Sequence, residues 1–132
     1  MPKNNHNNIQ NKSFIYQNII KFKVAFKGLK IVFLEESSFR YQFIILLLTI
    51  SLGFLVGLSK MEWIAIAFAT IIVFTFEVMN TAIENIIDLV SPEYNVLAGK
   101  IKDISAGAVL LSTIGAVIIG IIIFYPKIIN FI

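Results

Sequence analysis

The chain has 132 residues, of which 58% are hydrophobic and only 14% charged, with a mean hydropathy of +0.85 and a net charge of +3. A soluble domain of this length lies nearer half apolar and a quarter charged, so the composition points to one membrane-embedded domain. The absence of cysteine excludes disulfides, thiolate metal sites and cysteine nucleophiles.

The first residues, MPKNNHNNIQNK, are Asn-rich and polar, and residues 1–13 are expected to form a disordered tail. No short apolar core with a small-residue cleavage site follows them, so they do not resemble a signal peptide. His6, the one histidine, reads as a solvated tail residue.

From Phe14 to Leu34 the pattern predicts an amphipathic helix. Ile15, Ile19, Phe22, Phe26, Leu29 and Phe33 recur every three or four residues, which places them on one stripe. Lys23, Lys27 and Lys30 flank it on one side and Lys21 on the other. An apolar stripe edged with lysines suits a helix lying in the membrane interface.

Three hydrophobic blocks follow, with spans expected at about 39–58, 63–89 and 104–125. Crossing the hydrocarbon core takes about 20 residues. The first block therefore needs its Phe39–Gln42 flank, and the second, longer than required, should project its end from about Glu84 into the headgroups. Gly53 and Gly57 form a GxxxG, and Ala108, Ser112, Ala116 and Gly120 repeat every four residues in the third span. Small residues on one stripe let helices approach closely in lipid.

Seven of the eleven basic residues precede the first span, Lys60 lies in the first connection, Lys100 and Lys102 in the second, and Lys127 after the third. The positive-inside rule then puts the N-terminus and the second connection in the cytoplasm and the C-terminus outside. Glu35, Glu36, Glu77, Glu84, Asp88, Glu93 and Asp103 fall at or near that cytoplasmic side, and Glu62 alone lies opposite.

The second span ends in a polar stripe. Glu77, Asn80, Thr81, Glu84 and Asp88 lie at offsets of three, four, seven and eleven, on one helical face. A charge at the bilayer centre costs about 2.5–3.5 kcal/mol on insertion scales, so this face must be shielded, hydrated or bound. Three spans and a surface helix offer little to cover it, and a homo-oligomer with the stripe facing a neighbouring subunit is expected.

Carboxylates at a cytoplasmic surface suit a hard cation such as magnesium, which takes one or two of them together with substrate phosphates. Lys102 beside Asp103 adds a positive charge for phosphate. That set suits phosphoryl transfer, although no GxxxxGK[ST] or GxGxxG accompanies it. Two other readings compete: a structural polar seam between helices, and a proton or cation pathway in a small oligomeric transporter.

Three stretches carry a resemblance: EVMNTAIENIID at 77–88 with SPEY at 91–94, KDISAGAV at 102–109, and ESSFR at 36–40. They resemble the small prokaryotic diacylglycerol kinase family, which includes the Gram-positive undecaprenol kinases, over roughly Lys27 to Gly120. The resemblance implies an all-α membrane protein with an amphipathic surface helix and three transmembrane helices, assembled as a homotrimer in the cytoplasmic (inner) membrane. It implies transfer of the ATP γ-phosphate to a lipid hydroxyl with magnesium as cofactor. By that resemblance Glu77 is the general base, and Glu36 and Glu84 hold magnesium beside the nucleotide. Gln17, Lys102 and Asp103 contact the nucleotide, Glu93, Tyr94 and Asn95 lie near its base or ribose, and Asn80, Phe39 and Arg40 support the lipid side. Diacylglycerol-specific members carry an arginine in the surface helix where this chain has Gln17. That departure, with the SPEY turn and the LSKMEW connection, leans the acceptor toward undecaprenol.

Overall fold

The computed structural model describes the backbone of residues 5–131 and the side chains of residues 16–129. Four helices follow in chain order: α1 (Asn5–Glu35), α2 (Ser37–Val56), α3 (Lys60–Val90) and α4 (Val96–Phe131). No strand occurs among the described residues. The chain divides into two compact units, one reaching to Glu35 and one starting at Glu36.

The first unit is a helix that begins at Asn5, nine residues before the expected start at Phe14. Residues 5–13 contain no glycine or proline, so nothing stops the helix from propagating backward. The first four residues of the expected tail and the side chain of His6 lie outside the described residues. The expected apolar stripe is not the sole one on α1. Ile20, Val24 and Ile31 form a second row on the opposite face at offsets of four and eleven, and all three are exposed.

The second unit holds α2, α3 and α4, each long and apolar enough to cross a membrane. Leu47, Leu48, Phe54, Phe68, Leu111 and Ile122 are all exposed. On spanning helices such residues face lipid or a partner helix. α3 lies along α4, and α2 approaches both.

Local capping, rather than hydropathy, sets the C-terminal end of α2 and the starts of α3 and α4. α2 starts two residues before its expected boundary and stops at Val56, because Gly57 adopts the left-handed conformation (φ 67°) and closes the helix onto Gly53 O. α3 starts at Lys60 because Ser59 and Glu62 form a reciprocal capping box. α4 starts at Val96, eight residues before the expected span, because Asn95 Oδ1 accepts from the backbone amides of Leu97 and Ala98 at 2.8 and 3.2 Å. It also runs through Pro126, past the expected end at Tyr125.

The GxxxG pair takes a different form from the expected close helix crossing. Gly57 is the cap, and Gly53 makes room for an aromatic ring: a Cβ there would stand 2.7 Å from Trp63 Cη2 and 2.8 Å from Leu58 Cδ1. Trp63 in turn packs on Phe54, with ring centroids 5.0 Å apart. At this same end Lys127 Nζ donates to Gly57 O and pairs with Glu62, each at 3.2 Å, which ties α4 to the α2–α3 turn. The small-residue stripe on α4 is half-buried, but a Cβ at Gly120 would meet nothing within 4 Å. No tight intrachain crossing rests on that glycine.

Candidate active site

The deep end of the polar face of α3, at Glu77 and Thr81, is covered within the chain itself, where cover by a neighbouring subunit was expected. α4 lies along α3, so Glu77 (4% exposed) and Thr81 (3%) are buried by their own second unit. Burial of this kind demands hydrogen-bond partners, and the stripe has them. Glu77 Oε2 accepts from Gln42 Nε2 of α2 at 3.2 Å. Asn80 Nδ2 donates to Glu84 Oε1 at 2.9 Å, and Asn80 Oδ1 accepts from Ser105 Oγ of α4. Thr81 Oγ1 donates back to Glu77 O at 3.0 Å. Lys102 Nζ of α4 pairs with Asp88 Oδ1 at 2.5 Å.

The face is therefore graded. Glu77 lies at the buried end, Glu84 is half-buried two turns on, and Asp88 is exposed one turn further. A group entering from the apolar side would meet Glu77 first, whereas a soluble anion would meet Lys102 and the acids around it.

The remaining expected residues divide by exposure. Glu36 is the single non-helical residue between α1 and α2. Its backbone is extended (φ −96°, ψ 116°) and its side chain makes no capping hydrogen bond. Glu93 and Tyr94 lie exposed in the short α3–α4 connection, Tyr94 to 94%, and Asp103 is exposed on the first turns of α4. Asn95 is partly committed, since its Oδ1 caps α4 and only Nδ2 remains for another partner. Phe39, expected on the lipid side, is buried edge-on against Phe74, with centroids 4.8 Å apart at 82°. Arg40 is half-buried, and Gln17 is exposed on α1.

Among the described residues, no three His, Asp or Glu side chains gather into a cage that would hold a metal. Magnesium does not need one, because one or two carboxylates and the phosphates of a bound substrate satisfy it. Glu84, with one carboxylate oxygen already oriented by Asn80, has the donor chemistry for that arrangement.

Two residues of this site escaped the sequence reading. Gln42 sits in the flank of the first span and holds the Glu77 carboxylate. Its Oε1 is buried and accepts no hydrogen bond among the described residues, at the edge of an apolar groove of about 630 Å³ also lined by Val73, Phe74, Ala116 and Gly120. Ser105 belongs to the KDIS stretch that was noticed for Lys102 and Asp103. A polar residue inside a spanning helix was the available signal in both cases, but the partner depends on helix register, which one sequence does not fix.

Comparison with known proteins gives the family. A family profile of prokaryotic diacylglycerol kinases matches residues 23–124. The undecaprenol kinase of Bacillus subtilis (strain 168) is 34% identical over 127 residues, spanning 96% of this chain and 99% of that protein. The diacylglycerol kinase of Haemophilus influenzae (strain ATCC 51907 / DSM 11121 / KW20 / Rd) is 31% identical over 104 residues, 77% of this chain and 88% of its own. That of Escherichia coli (strain K12) is 30% identical over 94 residues, 71% and 77% respectively. These relatives are named as kinases, and nothing among them supports the transporter alternative. With three helices long and apolar enough to cross a membrane and a matched profile over most of its length, the chain belongs to the prokaryotic diacylglycerol kinase family, a family of membrane lipid kinases.

Proposed function

We propose that this protein phosphorylates the hydroxyl of a membrane lipid with ATP and magnesium at the cytoplasmic face of the inner membrane, with undecaprenol as the favoured acceptor. The observation that carries the reading is the graded α3 face: a buried carboxylate at Glu77 and a half-buried one at Glu84, with a lysine at its exposed end. The near full-length similarity to a protein named undecaprenol kinase favours that acceptor over diacylglycerol.

In this reading the lipid hydroxyl approaches Glu77 from the apolar side. Glu77 takes its proton while the hydroxyl oxygen forms a bond to the γ-phosphorus. The bond from that phosphorus to the β-phosphate oxygen breaks, and ADP leaves. Gln42 keeps the Glu77 carboxylate oriented by donating to Oε2, which leaves Oε1 for the hydroxyl. Glu36 and Glu84 would hold magnesium, which when bound neutralises phosphate charge. Lys102 would contact a phosphate after leaving Asp88, and Asp103 would lie beside it. Glu93, Tyr94 and the Asn95 amide nitrogen would meet the base or ribose, with Gln17 of the surface helix on the nucleotide side. Asn80 orients Glu84. Phe39 packs α2 on α3, and with Arg40 it would shape the lipid side. α1 would lie in the interface with its lysines toward anionic headgroups, the N-terminus would be cytoplasmic and the C-terminus outside, and three copies would form the working assembly.

Purified protein in detergent, given labelled ATP, magnesium and either undecaprenol or diacylglycerol, should yield labelled lipid, faster with undecaprenol. No transfer to either lipid would overturn the kinase reading.

A further inference from the structure

We propose that Ser105 is a positioning residue of this site, acting through Asn80 to fix the Glu84 carboxylate. The inference rests on the reading of Glu84 as a magnesium ligand. A serine or threonine within a helix ordinarily gives its hydroxyl to a carbonyl three or four residues back. Thr49, Ser51, Thr75, Ser112 and Thr113 do this here, at 2.7–2.9 Å. Ser105 is buried at 8% exposure. Its Oγ is 3.2 Å from Lys102 O but lies closer to Asn80 Oδ1, on a different helix.

A hydroxyl carries one hydrogen. Lys102 O and Asn80 Oδ1 are both acceptors, and the closer contact takes it. With Oδ1 fixed by Ser105, the Asn80 amide has one orientation, and its Nδ2 donates to Glu84 Oε1 at 2.9 Å. Both bonds run in one direction, hydroxyl to amide to carboxylate, and such chains polarise one another. The same turn of α4 carries Lys102, paired with Asp88 one turn beyond Glu84. Glu84 thus lies between two ties from α4. The Ser105 tie leaves Glu84 Oε2 as the carboxylate oxygen for a cation. Without the hydroxyl, the Asn80 amide loses the partner that selects its orientation, and Glu84 becomes free to turn.

The test compares Ser105→Ala, Ser105→Thr and Glu84→Gln in the full chain purified in detergent. Mn²⁺ binding is followed by electron paramagnetic resonance in the presence of a non-hydrolysable ATP analogue, alongside the thermal midpoint and the magnesium dependence of turnover. Ser105→Ala should weaken Mn²⁺ binding about threefold to tenfold, the reach of one net hydrogen bond, with the magnesium requirement rising by the same factor. Ser105→Thr, which keeps the hydroxyl, should recover most of the loss. Mn²⁺ affinity unchanged in Ser105→Ala, whatever its thermal midpoint, would overturn the inference while Glu84→Gln still abolished binding. Unchanged Mn²⁺ binding in Glu84→Gln would instead overturn the assignment of the metal to Glu84.

Discussion

Glu77 and Glu84 are the same residue type on the same helical face, two turns apart, yet they meet different surroundings. Glu77 is buried and receives a neutral amide from α2, whereas Glu84 is half-buried and receives one from its own helix. Burial suits contact with a lipid hydroxyl, and the more exposed position suits a hydrated cation and its phosphates. Glu77→Gln keeps the shape and removes the proposed base, so turnover should fall by about two to four orders of magnitude, with equilibrium binding of an ATP analogue nearly unchanged. Equal loss of binding and turnover would move Glu77 to the metal. Gln42→Leu tests the support of the base: a hydrogen bond to a charged acceptor is worth about 1.5–3 kcal/mol, so turnover should drop at least about tenfold while analogue binding stays intact. The residue types of this stripe were legible at offsets of three, four, seven and eleven. Gln42 and Ser105 were not, because their roles arise from contacts of α2 and of α4 with α3.

At the scale of elements, the spans were legible in the hydropathy and their ends were not. Hydropathy marks where a chain enters the apolar phase, but a helix stops where its terminal amides and carbonyls find caps. Ser59-Lys-Met-Glu62 is a capping-box pattern that could have been read directly, and Asn95 preceding a periodic segment is an N-cap signal. Hydropathy hides both, since Lys60 and Glu62 in one case and Lys100, Lys102 and Asp103 in the other interrupt the apolar run. Extending α4 back to Val96 matters for the site, since it places Lys102 and Asp103 on a helix beside α3 rather than in a loop. The far end of the bundle is held by different means, with Gly53 receiving the Trp63 ring and Lys127 pinned to the α2–α3 turn. Gly53→Ala must displace an indole edge at 2.7 Å, and overpacking of this kind costs about 1–3 kcal/mol. The variant should show a lower thermal midpoint in detergent with near-normal turnover per folded molecule. A large loss of turnover at unchanged stability would mean that this end communicates with the site.

For the whole molecule, the orientation in the membrane decides whether the site faces its nucleotide. On the proposed reading, the α3–α4 connection with Glu93 and Tyr94, and the first turns of α4 with Lys102, would lie on the ATP side, and the α2–α3 turn with Lys60 and Glu62 on the other. Nine of the eleven basic residues, Lys100 and Lys102 among them, fall on the side assigned to the cytoplasm, against Lys60 and Lys127 opposite. The charge bias of the flanks and the proposed catalytic roles would therefore require the same topology. The natural sequence has no cysteine, so single cysteines can report on this without background. Met61 is 72% exposed at the α2–α3 turn and Val96 is 75% exposed at the start of α4, and neither belongs to the site. In intact cells a membrane-impermeant maleimide applied from outside should label Met61→Cys and spare Val96→Cys until the membrane is opened. The reverse pattern would put Lys102 and Glu84 on the outer side, away from cytoplasmic ATP, and the phosphoryl-transfer reading would fail with it.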